Sequence, residues 1–159
     1  MINIFTCGVY GSSEKEFFNK LLENKIDTFC DIRRRRAVRG SEYTFVNSEK
    51  LQMKLKKIGI SYFHFLEFSP SLELMNIQKE MDIKSKINRR KRESLSEEFI
   101  KRFNEEKLKN FDSDKFINTL GKNAKNILFF CVEKNPEACH RSIVADKLSH
   151  SLKAVVVHL

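Results

Sequence analysis

The chain has 159 residues, 41% hydrophobic and 32% charged, with a formal net charge of +9. That length predicts one domain, and a domain of this size buries roughly two-thirds of its unfolded surface without a metal or disulfide staple. The balance excludes a disordered tail, a collagen-like repeat and a membrane protein, because apolar runs such as residues 127–132 fall far short of the roughly 18 residues a spanning helix needs.

In chain order, residues 2–7 read as a first strand ending at Gly8 and Gly11. Ser12 or Ser13 then caps a helix over 14–24, with Phe17, Phe18, Leu21 and Leu22 on one face. Residues 26–32 form a second strand, followed by a basic loop to about Phe45. Asn47 or Ser48 caps a helix over 49–58, closed by Gly59, and 60–65 is a third strand. Residues 70–121 show no strand pattern. Helices are predicted there over 71–81 (Leu72, Met75 and Ile83 loosely spaced), 96–110 and 113–120. Residues 84–92 read as a mobile basic insertion. A buried strand over 126–132, a helix over 139–152 and a last strand over 154–159 complete the chain. The expected fold is a single three-layer α/β domain over 1–159. It has about five mostly parallel strands, helices on both faces, and a helical and basic insertion at about 70–121.

The positive charge is localised. Arg33, Arg34, Arg35, Arg36 and Arg39 place five charges in seven residues. Lys84, Lys86, Arg89, Arg90, Lys91 and Arg92 place six in nine. Without these eleven the chain carries 19 basic and 21 acidic residues, so the whole excess lies in two segments. Such fields favour a polyanion, an anionic substrate or a membrane surface over a neutral ligand, unless the runs are simply solvated loops.

In open α/β sheets ligands bind beyond the carboxyl ends of the strands. Those ends here carry Tyr10, then Asp31 and Arg33, then His64 and Glu67, then Glu133, with His140 and Arg141 opening the following helix. A strand, loop and helix N-terminus over 131–142 would suit an anion, with Arg141 adding a bidentate contact and Ser142 beside it. The structural alternative is that Ser142 or Cys139 caps the helix and Arg141 pairs with Glu137 or Asp146. The helix end would also lower the pKa of Cys139. The Cys-to-Arg spacing does not match a phosphatase loop. A Cys139 dyad with His64 or His158, and a metal site from His64, His140 and Glu133 or Asp31, have suitable residue types but no recognised spacing. Phe45, and to a lesser degree Tyr43, are expected to anchor the basic loop. The four cysteines contain no CxxC pair. With no secretory signal visible in residues 1–5, they read as reduced cytoplasmic thiols.

Several segments together resemble the domain of unknown function 488 family. They are Thr6-Cys7-Gly8 with Tyr10, Asp31-Ile32-Arg33 with its arginine-rich loop, Tyr62-Phe63-His64 before Leu66-Glu67, the string C-x-E-K-x-P-x-x-C-H-R-S over 131–142, and His158-Leu159. They run through nearly the whole chain in the same order, and the 131–142 string is the most specific. The resemblance implies a single α/β domain from the cytoplasm of a bacterium or archaeon and supplies no reaction. Asp31, Arg33, Glu133, Cys139, His140 and Arg141 match the family's polar positions. Arg34-Arg35-Arg36 stand where many members carry Pro and small residues, and Phe68-Ser69-Pro70 where Leu-Gly-Gly often follows. These departures mark an arginine-rich-loop branch and imply a different ligand within a shared architecture.

The expected function is binding of nucleic acid or another phosphate-bearing ligand at a strand-end pocket flanked by basic loops. Arg33, Arg36, Arg39, Arg141, Ser142, His64 and Tyr10 are the ligand-binding candidates. The alternative is an enzyme acting on a small phosphorylated or carboxylated metabolite. There Glu133 or Asp31 would be base, His140 or His64 acid, Cys139 a reactive thiol, and Arg33 and Arg141 anion clamps. A third reading is an interaction module for an acidic partner, which would show an exposed apolar patch beside the basic residues. No cofactor, metal or membrane contact is expected, and no protein partner is specified.

Overall fold

The structure, a computed structural model, describes residues 1–159. Five parallel strands form one sheet: β1 (Asn3–Cys7), β2 (Thr28–Asp31), β3 (Ser61–His64), β4 (Asn126–Phe130) and β5 (Val156–His158). Their spatial order is β3-β2-β4-β1-β5. The helices are α1 (Glu14–Glu23), α2 (Ser48–Lys57), α3 (Leu72–Lys84), α4 (Glu97–Phe103), α5 (Ser113–Leu120) and α6 (His140–Leu152). This is the three-layer α/β domain expected, with strand ends trimmed by a residue or two.

The inner strands are buried on both sides, while the edge strands β3 and β5 are partly exposed. Along β4, Leu128 and Phe130 join one core with Phe17, Leu21, Leu51 and Leu55 of α1 and α2. Ile127 and Phe129 join the other, with Leu74, Phe99, Phe103, Phe116 and Leu148 of α3 to α6. Two-sided burial is why β4 reads as an unbroken apolar run rather than an alternation. Each such side chain contributes roughly 1.5–3 kcal/mol. α1 begins at a capping box: the Ser13 hydroxyl accepts from the Glu16 amide, and the Glu16 carboxylate accepts from the Ser13 amide at 2.7 Å.

The 70–121 segment is helical as expected, but α3 turns a different face inward. Leu72 and Ile83 are exposed, and Leu74 and Gln78 are buried. The buried glutamine is polar for a reason. Its side-chain oxygen accepts from the Ser96 amide at 2.8 Å and its amide donates to Asp82 at 2.8 Å, fastening the start of α4 to α3. Apolar spacing alone gives no sign of a polar core position. α4 widens into a π-type turn over Asn104–Leu108 before α5.

The topology positions the site. The chain leaves β1 for β2 through α1 on one face, and leaves β4 for β5 through α6 on the other. β1 and β4 are neighbours, so the loops that leave them lie side by side at the carboxyl edge of the sheet, where ligands of such folds bind.

Candidate functional site

The loops after β1 and β4 are drawn together by backbone. The Val9 and Tyr10 amides both donate to the Val132 carbonyl, at 3.2 and 3.1 Å. Gly8 lies so close to the Glu133 carbonyl that any β-carbon would collide with it. Arg141, 1% exposed, reaches back from the first turn of α6. Its Nη1 donates to the Glu133 carbonyl at 2.6 Å and its Nη2 to the Lys134 carbonyl at 3.0 Å. It pairs with neither Glu137 nor Asp146. A buried guanidinium thus closes the loop after β4 through two charge-assisted bonds.

A second buried charge pair lies at the end of β2. Asp31 Oδ1 accepts from Arg33 Nε at 2.9 Å and from the Arg33 amide at 3.1 Å. Its Oδ2 accepts from Arg33 Nη2 at 2.7 Å and from the Tyr62 hydroxyl at 2.9 Å. Arg33 also donates to the Val46 carbonyl and lies 4.7 Å over the Phe130 ring. Removing two such charges from water is costly, and the bidentate geometry with further partners offsets that cost. Burial pushes the Tyr62 hydroxyl up to about 12; the Arg36 hydrogen bond opposes this, while the neighbouring Asp31 charge and bond reinforce it. His64 Nε2 lies 3.0 Å from the Arg33 carbonyl.

Two buried thiols meet beneath this edge. Cys131 follows β4, Cys139 is the N-cap of α6, and His140 opens its first turn. His140 Nε2 lies 3.1 Å from the Ile32 carbonyl, so that nitrogen carries the proton and donates. Its Nδ1 faces Cys139 Sγ at 3.9 Å, and its ring packs 5.6 Å from that of Phe103. Burial pushes the Cys139 thiol up. A hydrogen bond from the Cys131 thiol, together with His140 and Arg141, outweighs burial and holds Cys139 well below the usual thiol range. The same shared proton, with burial, pushes Cys131 well up. Burial raises Cys7 to about 11 against the opposing charges of Lys20 and Arg141, and holds Cys30 well above the usual thiol range, with the Asp31 charge adding to it.

Residues 84–92 are fastened across this edge rather than standing free. Arg89 Nε donates to Glu133 Oε1 at 2.8 Å, and Glu133 is 4% exposed. The Arg90 guanidinium lies 4.9 Å over the Tyr10 ring. Arg92 bonds Asp82 at 2.8 Å and the Ala138 carbonyl at 3.0 Å. Tyr10 in turn packs 5.2 Å from Tyr43, whose hydroxyl accepts from the Gly11 amide at 3.0 Å. Tyr43 belongs to the loop that carries the first basic run and is as buried as Phe45. Tyr10 and Tyr43 therefore link the two basic segments.

The residues singled out by sequence fall into distinct groups. Asp31, Arg33 and His64 sit together with Tyr62 and with Arg36, whose Nη1 lies 3.4 Å from the Tyr62 hydroxyl. Glu133, Cys139, His140 and Arg141 form a second group, joined to the first through Ile32. Ser142 turns its hydroxyl to the Cys139 carbonyl at 2.9 Å, within its own helix. Arg39 is exposed and touches neither group. The sequence names Gly8, Tyr62 and Arg89 without a role in the site, and gives no sign of the pairing of Cys131 with Cys139. The signal for Gly8 was its place at a strand end; Arg89 is indistinguishable by sequence from its basic neighbours.

Fold and site together define a parallel three-layer α/β domain whose carboxyl edge is built from buried arginines, paired carboxylates and two close thiols. Residues 13–148 match the family described as domain of unknown function DUF488, and the chain belongs to that family. No curated protein and no solved structure matches it. No helix is long and apolar enough to cross a membrane.

Proposed function

We propose that this domain binds a phosphate-bearing polyanion, nucleic acid first, across the carboxyl edge of its sheet. The observation that carries the reading is how the eleven clustered cations divide. Arg33, Arg89 and Arg92 are committed to carboxylates, Arg34 and Arg36 donate to the Pro70 carbonyl and the Tyr62 hydroxyl, and Arg90 lies over Tyr10. Arg35, Arg39, Lys84, Lys86 and Lys91 are exposed and in no ion pair, as is Lys134 between them in the β4 loop. Phosphates neutralised by these groups release counterions, which makes binding strong at low salt and blind to base sequence. Tyr10 already contacts Arg90 and Tyr43, so its part is to hold the two segments in register.

A small-metabolite enzyme has less support. Asp31 and Glu133 are both paired, and His64 and His140 face backbone carbonyls. An acidic protein partner has one observation in its favour: Met81, Ile83 and Ile87, beside the second run, are exposed.

Fluorescence anisotropy with short single- and double-stranded DNA and RNA at two salt concentrations tests the reading. Binding should fall steeply with salt. Arg35→Ala with Arg39→Ala, or Lys84→Ala with Lys86→Ala and Lys91→Ala, should each flatten the slope by about one unit for every phosphate left without its cation. No binding at low salt sinks the proposal. Binding with unchanged slopes in both variants moves the interface elsewhere.

A further inference from the structure

The geometry points to a zinc site formed by Cys131, Cys139 and His140. The thiol sulfurs and a ring nitrogen of His140 all lie within 4.8 Å of one another. A tetrahedral zinc ion, with bonds of roughly 2.3 Å to sulfur and 2.0 Å to nitrogen, sets its ligand atoms about 3.5–3.8 Å apart. The 3.9 Å from Cys139 Sγ to His140 Nδ1 is already close to that spacing.

Four further features suit an ion rather than three idle side chains. His140 Nε2 is held by the Ile32 carbonyl, which leaves the Nδ1 lone pair turned toward the sulfur. A backbone carbonyl on the far nitrogen is the usual outer partner of a metal-bound histidine. All three side chains are more than nine-tenths buried, which excludes competing water from the donors. Each is carried by a fixed element: Cys131 directly after a central strand, Cys139 and His140 at the start of a 13-residue helix. The intervening loop is closed by Arg141, which fixes how Cys131 and Cys139 stand to one another. Borderline-soft Zn²⁺ suits two sulfurs and an imidazole, where Mg²⁺ or Ca²⁺ would demand oxygen. A Cys₂His set leaves the fourth position to water or to an incoming oxygen ligand. The sequence hid the site because its ligands are spaced by seven intervening residues and then by none, not by the two of a CxxC knuckle. The site stands independently of polyanion binding.

The test uses the whole chain, purified reduced and without chelator or metal resin. Elemental analysis should find one zinc per chain. Replacement by Co²⁺ should produce thiolate-to-cobalt charge transfer and intense tetrahedral d–d bands. Cys131→Ser and Cys139→Ser should each abolish these bands, and Cys30→Ser should keep them. Folded wild-type protein, verified by circular dichroism, that takes up neither zinc nor a tetrahedral cobalt spectrum overturns the site. So does zinc retained at full stoichiometry by the Cys131→Ser, Cys139→Ser double variant.

Discussion

In the 33–39 run the leading arginine is drawn into the core, where it meets a fully buried aspartate, while the residues behind it emerge into solvent. The 84–92 run stays outside until its last residue, Arg92, whose side chain is 9% exposed. Arg89, with a side chain 66% exposed, leans on Glu133 from outside, and Arg92 staples the segment to α3 and to the loop before α6. Two stretches of near-identical composition are thus rooted in different ways. A basic run is a mixture of fasteners and free charges, and composition cannot tell which is which.

Arg33→Ala should do the most damage. It leaves Asp31 buried with half its partners gone, at a cost of about 3–5 kcal/mol in urea unfolding. A loss no greater than that of Arg89→Ala would erase the distinction between the runs. Gly8→Ala, at the contact between the β1 and β4 loops, forces a methyl group against the Glu133 carbonyl and should cost about 1–3 kcal/mol. Arg89→Ala should cost less than Arg33→Ala, about 1–2 kcal/mol, because Arg89 is itself largely solvated but the buried Glu133 carboxylate loses its partner. Its clearer readout is faster proteolysis within 84–92 at unchanged midpoint elsewhere. Alanine at Arg35 and Arg39 should leave stability within about 0.5 kcal/mol of wild type, as for most exposed sites, while weakening polyanion binding.

Alkaline pH sharpens the contrast further. An unfolded tyrosine ionises near about 10, whereas folded Tyr62 holds its proton to about 12. Between those values the native state binds more protons than the unfolded one, so stability should fall as pH rises from about 10 to about 12. Tyr62→Phe should remove that part of the slope, measured by urea midpoints across the range. The second run has no counterpart to this residue.

Much of the architecture was legible because it depends on local signals. The five strands announced themselves as short apolar runs between turn residues, and α1 by Ser13 and Glu16. The strand-end rule placed Asp31, Arg33, Glu133 and His140 at the edge where they lie. Illegible features depended on the path of the chain. Cys131 meets Cys139 only because Arg141 bends the loop between them, and Gln78 is buried only because the Ser96 amide needs an acceptor. The mobile insertion expected at 84–92 is fastened by Arg89 and Arg92, whose partners Glu133 and Asp82 lie in other elements.

The place of β1 in the sheet bears on how the chain is made. Asn3 pairs opposite Asn126, and Ile4 opposite Val156. β1 therefore has no neighbour in this sheet until β4, in the last quarter of these residues, has been made, whereas β2 and β3 can pair early. Contacts this distant in sequence slow folding toward the millisecond-to-second range. For that interval the apolar edge of β1 is a nascent liability, best covered by a chaperone until β4 and β5 arrive on either side.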